Sequence, residues 1–248
     1  MAHLLLDIGN TRTKAVIMDN GKVLQRLVSD NFSQFDLHAL VEHYNIDAAA
    51  ASVVGMQPDF GCLLDFVNPS RFHLLTHQSR LPIAIDYDTP STLGMDRIAA
   101  VVGARQLCPS SPLLVVDAGS CITIDLLDDN NCYQGGAILP GLRMKFRALH
   151  EFTTALPDIT LTPDELNGST PQQLTGKSTR GSITSGVCNA TLFEIQGFIA
   201  EYNRAFPSLK LFLTGGDADF FANQLFFPKF ATPDLLMIGL DKILEMNI

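Results

Sequence analysis

Apolar and polar residues are arranged so that a short apolar run ends at an aspartate in two places. Three leucines at residues 4–6 precede Asp7, and four aliphatic residues at 113–116 precede Asp117. In both places a glycine follows two residues later, and β-branched residues alternate with others beyond it. This pattern is typical of a strand, a tight turn and a second strand. It predicts a β-hairpin near the start of each half of the chain.

The two hairpins share the motif D-x-G-x-x-x-T at a constant offset of 110 residues. The matched pairs are Asp7 with Asp117, Gly9 with Gly119, and Thr13 with Thr123. A single match has little weight, because aspartate and glycine are common in turns. Two matches in register predict that the chain is an internal duplication.

The rest of the first half continues as an α/β domain. Residues 14–18 and 22–27 are predicted strands joined by an Asp-Asn-Gly turn, which favours a two-residue hairpin. Helical spacing at 36–44 and 59–67 alternates with apolar runs at 47–54 and 72–75, which predict parallel strands. Three hairpin strands followed by alternating helices and strands indicate a ribonuclease-H-like domain.

The first half ends with a predicted helix whose first turn contains residues 96 and 97 and whose apolar face includes Ile98 and Val101, and residues 109–112 are predicted to form a short linker between the halves. The second half repeats the order of the first. We expect strands at 115–117, 122–127, 132–139 and 211–214, and helices at 143–150, 185–205 and 234–246. The segment from 153 to 182 is rich in Thr, Pro and Gly and is predicted to be a loop. The predicted architecture is a duplicated ribonuclease-H-like (actin-like ATPase) fold. Its lobes are residues 1–110 and 111–248, with an insertion at about 140–186 and a nucleotide cleft between the lobes.

Composition and charge narrow the functional classes. Apolar residues make up 46% of the 248 residues and charged residues 17%, which favours packed cores over disorder. The net charge of −9 and the lack of a basic stripe argue against nucleic-acid binding. No apolar run is long enough to cross a membrane, and no signal peptide is recognisable. The five scattered cysteines are typical of free thiols in a reducing compartment, so we expect a cytoplasmic protein.

The Asp-x-Gly turns are suited to phosphate chemistry. Such a turn directs backbone N–H groups towards one point, and its glycine allows a phosphate to approach without a Cβ atom in the way. The carboxylates can hold a cation or its waters, while Lys14, Thr11 and Thr13 can contact phosphates. A single copy is compatible with ordinary hairpin residues, but two copies, with a further glycine turn at Gly215, favour a nucleotide.

Five motifs carry a resemblance to a known family. They are Asp7-Ile8-Gly9-Asn10-Thr11 with Lys14, Gly94-Met95-Asp96-Arg97, Asp117-Ala118-Gly119-Ser120, the run Gly135-Gly136-Ala137-Ile138-Leu139-Pro140-Gly141, and Leu213-Thr214-Gly215-Gly216-Asp217. Together they resemble type III pantothenate kinase, a bacterial enzyme family in the acetate-and-sugar-kinase, Hsp70 and actin superfamily. The Asp-x-Gly turns indicate only the superfamily, whereas Gly-x-Asp-Arg and the Gly-Gly-x-Ile-x-Pro-Gly run specify the family.

The resemblance implies ATP-dependent phosphorylation of pantothenate, the first step of coenzyme A synthesis, by a homodimer. Asp96 would be the general base, and Asp117 would hold a monovalent cation, K⁺ or NH₄⁺. ATP, with Mg²⁺, would contact Asp7, Ile8, Gly9, Asn10, Thr11, Arg12, Thr13, Lys14 and Ser120. Pantothenate would contact Tyr87, Gly94, Met95, Asp96, Arg97 and Thr179.

Alternatives remain open for several of these residues. Asp96 is also in a position typical of a helix cap, and a residue like Arg97 often forms a surface ion pair. Ser120 stands where the family usually has Thr, and Ser178-Thr179 replaces the commoner Asn-Thr. Two other functions on this fold are an actin- or Hsp70-like ATPase switch and a non-catalytic regulatory protein.

Overall fold

The computed structural model describes residues 1–29, 34–55, 58–166 and 173–248, which divide into two compact units. Unit 1 contains residues 1–110, 130–134 and 234–248, and unit 2 contains residues 111–129 and 135–233. One boundary coincides with the predicted division after residue 110. The C-terminal segment, which we expected in the second lobe, is grouped with the N-terminal half of the chain.

The strands and helices of the described residues are as follows. The strands are β1 (Ala2–Ile8), β2 (Thr13–Asp19), β3 (Lys22–Ser29), β4 (Ile46–Val53), β5 (Phe72–Leu74), β6 (Ala84–Ile85), β7 (Leu113–Ala118), β8 (Cys121–Leu127), β9 (Cys132–Pro140), β10 (Lys210–Thr214) and β11 (Lys229–Ala231). The helices are α1 (Gln34–Val41), α2 (Met95–Leu107), α3 (Leu142–Glu151), α4 (Pro163–Leu166), α5 (Thr179–Ala205), α6 (Ala218–Ala222) and α7 (Leu235–Asn247).

The sheet of unit 1 has the strand order β3-β2-β1-β4-β5. Strands β1, β2 and β3 are antiparallel neighbours, while β4 and β5 run parallel to β1. The even-numbered leucines of β1, Leu4 and Leu6, pack in one core cluster with Leu37 and Leu40 of α1. Helices α2 and α7 cover the opposite face of the sheet, where α7 contacts β1 and β4. The sheet therefore has helices on both faces, as an α/β domain requires.

Helices α2 and α7 pack with their backbones in direct contact. A Cβ atom added at Gly103 would lie 1.9 Å from the carbonyl oxygen of Leu235, and one at Gly239 would lie 1.7 Å from that of Ala99. Residues 97–105 of α2 are all buried, so the helix is enclosed on every side rather than along the single face that we predicted. Glycine is required at both crossing points because any side chain would separate the helices.

The sheet of unit 2 repeats the order of unit 1. Its strand order is β11-β10-β7-β8-β9, which corresponds position by position to β5-β4-β1-β2-β3. β7 and β8 are antiparallel, and β10 runs parallel to both β7 and β11. The two residues of β6 pair with Cys132 and Tyr133 at the start of β9, a segment grouped with unit 1. The repeated order confirms the predicted duplication.

Most element predictions agree with the structure, and the following elements differ. The helix expected at 59–67 is a short 3₁₀ helix over Gly61–Asp65. Helix α5 begins at Thr179, six residues before the predicted start, because the side chain of Ser178 accepts the N–H of Gly181 at 3.0 Å and caps it. The short elements α4, α6 and β11 were not predicted. In the described part of the chain, no helix is both long enough and apolar enough to span a bilayer.

Candidate nucleotide and substrate site

The first Asp-x-Gly turn connects β1 to β2 in unit 1. The N–H of Gly9 donates to the carbonyl oxygen of Arg12 at 3.0 Å, which closes a four-residue turn. A Cβ atom at Gly9 would lie 3.1 Å from that oxygen. Asn10, Thr11 and Arg12 are exposed at its tip, so this part of the predicted ATP site is accessible.

The register of this hairpin decides which side chains accompany Asp7. Asp7 pairs with Lys14, and Ile8 pairs with Thr13. Because side chains alternate between the two faces of a strand, Lys14 shares a face with Asp7. Thr13 lies on the other face and is only 7% exposed. Of the three residues predicted to contact phosphate, the structure places Lys14 beside the carboxylate and Thr13 towards the core, while Thr11 is exposed at the turn.

A glycine turn after β4 lies against the first turn. The N–H of Val54 donates to the carbonyl oxygen of Ile8 at 2.9 Å. Gly55 has a φ of +94°, and a Cβ atom there would lie 3.0 Å from Oδ1 of Asn10. A non-glycine residue would be strained at this φ and would crowd the Asn10 amide. The two loops therefore pack against each other at the carboxyl ends of the parallel strands β1 and β4.

The second Asp-x-Gly turn, between β7 and β8 in unit 2, is one residue tighter. The N–H of Gly119 donates to the carbonyl oxygen of Cys121 at 3.0 Å, and Asp117 pairs directly with Thr123. Thr123 therefore occupies the place that Lys14 has beside Asp7. Although the motif matches Thr13 to Thr123 in sequence, the two threonines are not equivalent in the structure.

Two further glycines enclose the second turn. Gly215 has a φ of +99°, and a Cβ atom there would lie 2.5 Å from Oδ1 of Asp117. The N–H of Asp217 donates to the carbonyl oxygen of Ala118 at 2.9 Å, so the turn after β10 is fastened to the turn after β7. On the other side, the N–H of Gly141 donates to the carbonyl oxygen of Ser120 at 3.1 Å. The glycine motifs at 141 and 215 thus pack against the turn that carries the exposed Ser120 and the half-buried Asp117.

The Gly-x-Asp-Arg motif forms the first turn of α2 in unit 1. Gly94 is the N-cap residue, and Oδ1 of Asp96 accepts the N–H of Arg97 at 2.9 Å. A Cβ atom at Gly94 would lie 2.5 Å from Oδ1 of Asp96. A side chain at residue 94 would displace this half-buried carboxylate, so glycine leaves room for it to fold back over the helix start. The positive end of the helix dipole stabilises this carboxylate as an anion, by about 0.3–1 kcal/mol in typical settings.

Arg97 is buried and lies next to an aromatic ring. Its side chain is 6% exposed, and its guanidinium carbon lies 5.9 Å from the centroid of the Tyr133 ring, within range of a cation–π interaction. The Tyr87 ring, which is half-buried, lies 6.1 Å from the Tyr133 ring at an angle of 48°. Unit 1 thus brings Tyr87, Asp96 and Arg97 into one region. Tyr133, which is fully buried, connects them and was not predicted from the sequence.

Thr179 lies in unit 2 as the first residue of α5 and is exposed. The segment before it, Gly176-Lys177-Ser178, is similar to the end of a P-loop but is a helix cap. A Cβ atom at Gly176 would lie 2.2 Å from the backbone nitrogen of Ser182, so this glycine packs on the first turn of α5. Arg180 forms an ion pair with Glu165 at 3.0 Å, and the backbone N–H of Thr162 and this charge lower the pKa of Glu165.

Comparison with known proteins decides the family. The family model for type III pantothenate kinase matches residues 3–201. The chain belongs to this family. Type III pantothenate kinases of Flavobacterium johnsoniae and Phocaeicola vulgatus are each 37% identical to it. Both alignments cover 99% of this chain and 98% of the relative.

A solved kinase structure shares the fold of this pantothenate kinase family member. A ROK family glucokinase from Streptomyces griseus matches with a TM-score of 0.53 at 12% identity. The match covers 99% of this chain and 98% of the glucokinase chain. The predicted family, the actin-like ATPase fold and the kinase activity are thereby confirmed, and neither alternative function is favoured.

Proposed function

We propose that this chain transfers the γ-phosphoryl group of ATP to the 4′-hydroxyl of pantothenate, giving 4′-phosphopantothenate for coenzyme A synthesis. The observation that carries the proposal is the first turn of α2. There the Asp96 carboxylate is fixed over Gly94, next to the buried Arg97. A fixed anion beside a buried cation is suited to orienting a substrate that carries both a reacting hydroxyl and a carboxylate.

Asp96 is the general base in this proposal. Its carboxylate has acceptor sites beyond the one used by the Arg97 N–H, so it can also accept the substrate hydroxyl. Any aspartate carboxylate is a weak base at neutral pH. That weakness is tolerable because phosphoryl transfer has a loose transition state, in which the hydroxyl becomes acidic only as the new P–O bond forms. Catalysis then depends mainly on positioning and on charge stabilisation.

The cluster next to Asp96 binds pantothenate. Arg97 forms a charge-assisted hydrogen bond with the pantothenate carboxylate in this proposal. Tyr87 supplies an apolar face and a hydroxyl at the side of the pocket, and Gly94 and Met95 supply backbone contacts. We assign Thr179 a hydroxyl contact on the basis of the family resemblance.

The two Asp-x-Gly turns bind the nucleotide. The first turn contributes Ile8, Gly9, Asn10, Thr11, Arg12 and the more buried Thr13. Lys14 neutralises phosphate charge, and Ser120 contributes a hydroxyl from the second turn. Among the described residues, no cluster of three or more His, Cys, Asp or Glu residues could hold a metal ion. Mg²⁺ in nucleotide sites is usually held by one or two carboxylates together with phosphates, and Asp7 fits that donor set. When bound with ATP, Mg²⁺ would neutralise charge on the phosphates.

Asp117 holds the monovalent cation in this proposal. Its carboxylate lies at the end of β7, where the Gly215 turn approaches closely enough to exclude a side chain. A carboxylate oxygen is a ligand that suits K⁺ or NH₄⁺. We expect turnover in potassium or ammonium salts and its collapse when sodium is the only monovalent cation, measured as initial rates at constant ionic strength.

We also propose that the enzyme is a cytoplasmic homodimer that binds neither nucleic acid nor membranes. Apolar side chains exposed on two neighbouring helices support a surface that a second subunit covers. Met144 of α3 is 46% exposed and Phe193 of α5 is 53% exposed. The net charge of −9 is unfavourable for binding to a phosphate backbone.

The function is tested by measuring ADP formation with and without pantothenate. We expect ADP release to require pantothenate and to match the amount of phosphopantothenate detected by mass spectrometry. An ADP rate that is independent of pantothenate would contradict the proposal and would favour an ATPase switch. Binding of ATP without any turnover would favour a regulatory protein.

A further inference from the structure

Ser52, near the carboxyl end of β4, carries a buried hydroxyl that the reaction outlined above does not use. The residue is 0% exposed. Within the described ranges of the chain, its Oγ atom has no hydrogen-bond partner. Burying a hydroxyl without a partner costs free energy, and most buried polar groups in proteins are paired. The position therefore calls for an explanation beyond packing.

The sheet register places Ser52 beside Asp7. β1 and β4 are parallel neighbours, and Asp7 is the partner of Ser52 in the ladder. Adjacent residues of paired strands direct their side chains to the same face. This is the face of His3 and Leu5, because His3 contacts Asp241 of α7 across it. On the β4 side, the side chain next to the Asp7 carboxylate is therefore Ser52, whose hydroxyl has no partner among the described residues.

The other neighbours of Ser52 on this face do not need a hydroxyl. Ala48 and Ala50 precede it on the same face of β4, and both are fully buried. An alanine would continue that series and fill the position without an unpaired polar atom. The hydroxyl appears only at the ladder position opposite Asp7, where the strand reaches the nucleotide turn.

We propose that Ser52 is a positioning residue that acts through Asp7 when Mg·ATP binds. Its hydroxyl donates to an Asp7 carboxylate oxygen and fixes the orientation in which that carboxylate receives the cation. A carboxylate has acceptor sites for several donors, so this bond is compatible with other contacts of Asp7. Groups that orient a metal-binding carboxylate typically change metal affinity by about 10–100-fold when they are removed. The inference rests on the proposed role of Asp7 in nucleotide binding.

The test is Ser52→Ala, measured by calorimetric titration with the non-hydrolysable analogue AMPPNP and by thermal unfolding without ligand. We expect the affinity for Mg·AMPPNP to fall about 10-fold, while the affinity for AMPPNP in EDTA stays unchanged. We expect the unliganded variant to unfold at the same temperature as the wild type or higher, because an unpaired hydroxyl is removed. A purely structural role would not produce this combination.

Thr184 provides a matched control. It lies in α5 of unit 2, is 5% exposed, and its Oγ1 atom also lacks a hydrogen-bond partner among the described residues. Thr184→Val removes that hydroxyl at nearly constant volume. We expect Thr184→Val to leave the affinity for Mg·AMPPNP unchanged, so that any loss in Ser52→Ala belongs to its position beside Asp7.

Asp7→Asn, alone and combined with Ser52→Ala, separates the role of Ser52 from the role of Asp7. If Ser52 acts through Asp7, adding Ser52→Ala to Asp7→Asn causes no further loss of affinity. Additive losses would overturn the inference, as would wild-type affinity in Ser52→Ala. If Asp7→Asn itself keeps wild-type affinity for Mg·AMPPNP, the proposed nucleotide role of Asp7 fails, and the inference about Ser52 fails with it.

Discussion

Tyr133 is the residue whose replacement should affect substrate binding most selectively. Its ring contacts both the Arg97 guanidinium and the Tyr87 ring. A cation–π contact and an aromatic pair are each worth about 0.5–2 kcal/mol. We therefore expect Tyr133→Leu to raise the KM for pantothenate about 10-fold while the KM for ATP changes little.

Tyr133→Phe is the matched variant, because it keeps the ring and removes only the hydroxyl. We expect it to retain most of the wild-type KM for pantothenate in steady-state assays. Equal effects of Leu and Phe would show that the hydroxyl matters rather than the ring contacts. An equal rise in the KM for ATP would show a general loss of structure.

Residue by residue, the sequence predicted the site through its local motifs and missed its long-range contacts. The Asp-x-Gly turns and the Gly94 to Arg97 turn were predictable, since each is set by a few neighbouring residues. The face of Thr13 was not, because the two hairpins differ by one residue in register although their motifs match. Ser52 pairs with Asp7, and Tyr133 contacts Tyr87 and Arg97. These partners are far apart in the chain, so only the folded structure shows the contacts.

At the scale of elements, the contact between α2 and α7 gives a clear prediction. Gly103→Ala places a methyl group 1.9 Å from the carbonyl oxygen of Leu235, so the helices must separate. Overpacking of this kind costs about 1–3 kcal/mol and sometimes more, which exceeds the gain of up to about 1 kcal/mol in helix propensity. We expect a lower free energy of unfolding in denaturant titrations.

The control for this prediction is Gly197→Ala in α5. Nothing lies within 4 Å of a Cβ atom at Gly197, so only the helix propensity changes. We expect this variant to be up to about 1 kcal/mol more stable than the wild type. A change of the same sign in both variants would contradict the proposed close packing of α2 and α7.

Element prediction succeeded where periodicity and capping agreed, and it failed where the elements were short or capped unexpectedly. The core strands have continuous apolar runs, and the helices at 142–151 and 235–247 have clear spacing. Helix α5 was predicted too short because the segment up to residue 182 is rich in Thr, Pro and Gly, which favours a loop. The real start is fixed by Ser178, whose capping role is visible only once its partner N–H is known.

At the scale of the whole molecule, the duplicated strand order was predictable but the grouping of the C-terminal helix was not. The sequence offers no local sign that α7 packs with α2 and β1 in unit 1. A contact between residues near the two ends of the chain helps to hold α7 against β1. His3 of β1 bonds to Asp241 of α7 at 2.6 Å, and the side chains are only 14% and 13% exposed.

This pair predicts a pH-dependent stability. The hydrogen bond to Asp241 raises the pKa of His3, although partial burial opposes the shift. A raised folded pKa gives a stabilisation that is complete below the unfolded pKa of about 6.5 and is lost as pH rises through the folded value. We expect His3→Gln to lose about 1.5–3 kcal/mol of unfolding free energy at pH 6 and less at pH 9.

The comparison with His3→Gln at each pH is needed because His73 acts in the opposite direction. Burial lowers the pKa of His73, so its protonation destabilises the fold at low pH in both proteins. The difference between wild type and variant cancels that contribution. A difference that is independent of pH would contradict the ionic character of the contact with Asp241.

The most direct test of the account is the rate of pantothenate-dependent ADP formation by Asp96→Asn, measured together with its affinity for Mg·AMPPNP. Asparagine keeps the size and the contact with the first turn of α2 but cannot take a proton. We expect the rate to fall by about 10²–10⁴-fold while the nucleotide affinity stays at the wild-type value. A variant that retains the wild-type rate would contradict the assignment of Asp96 as the base.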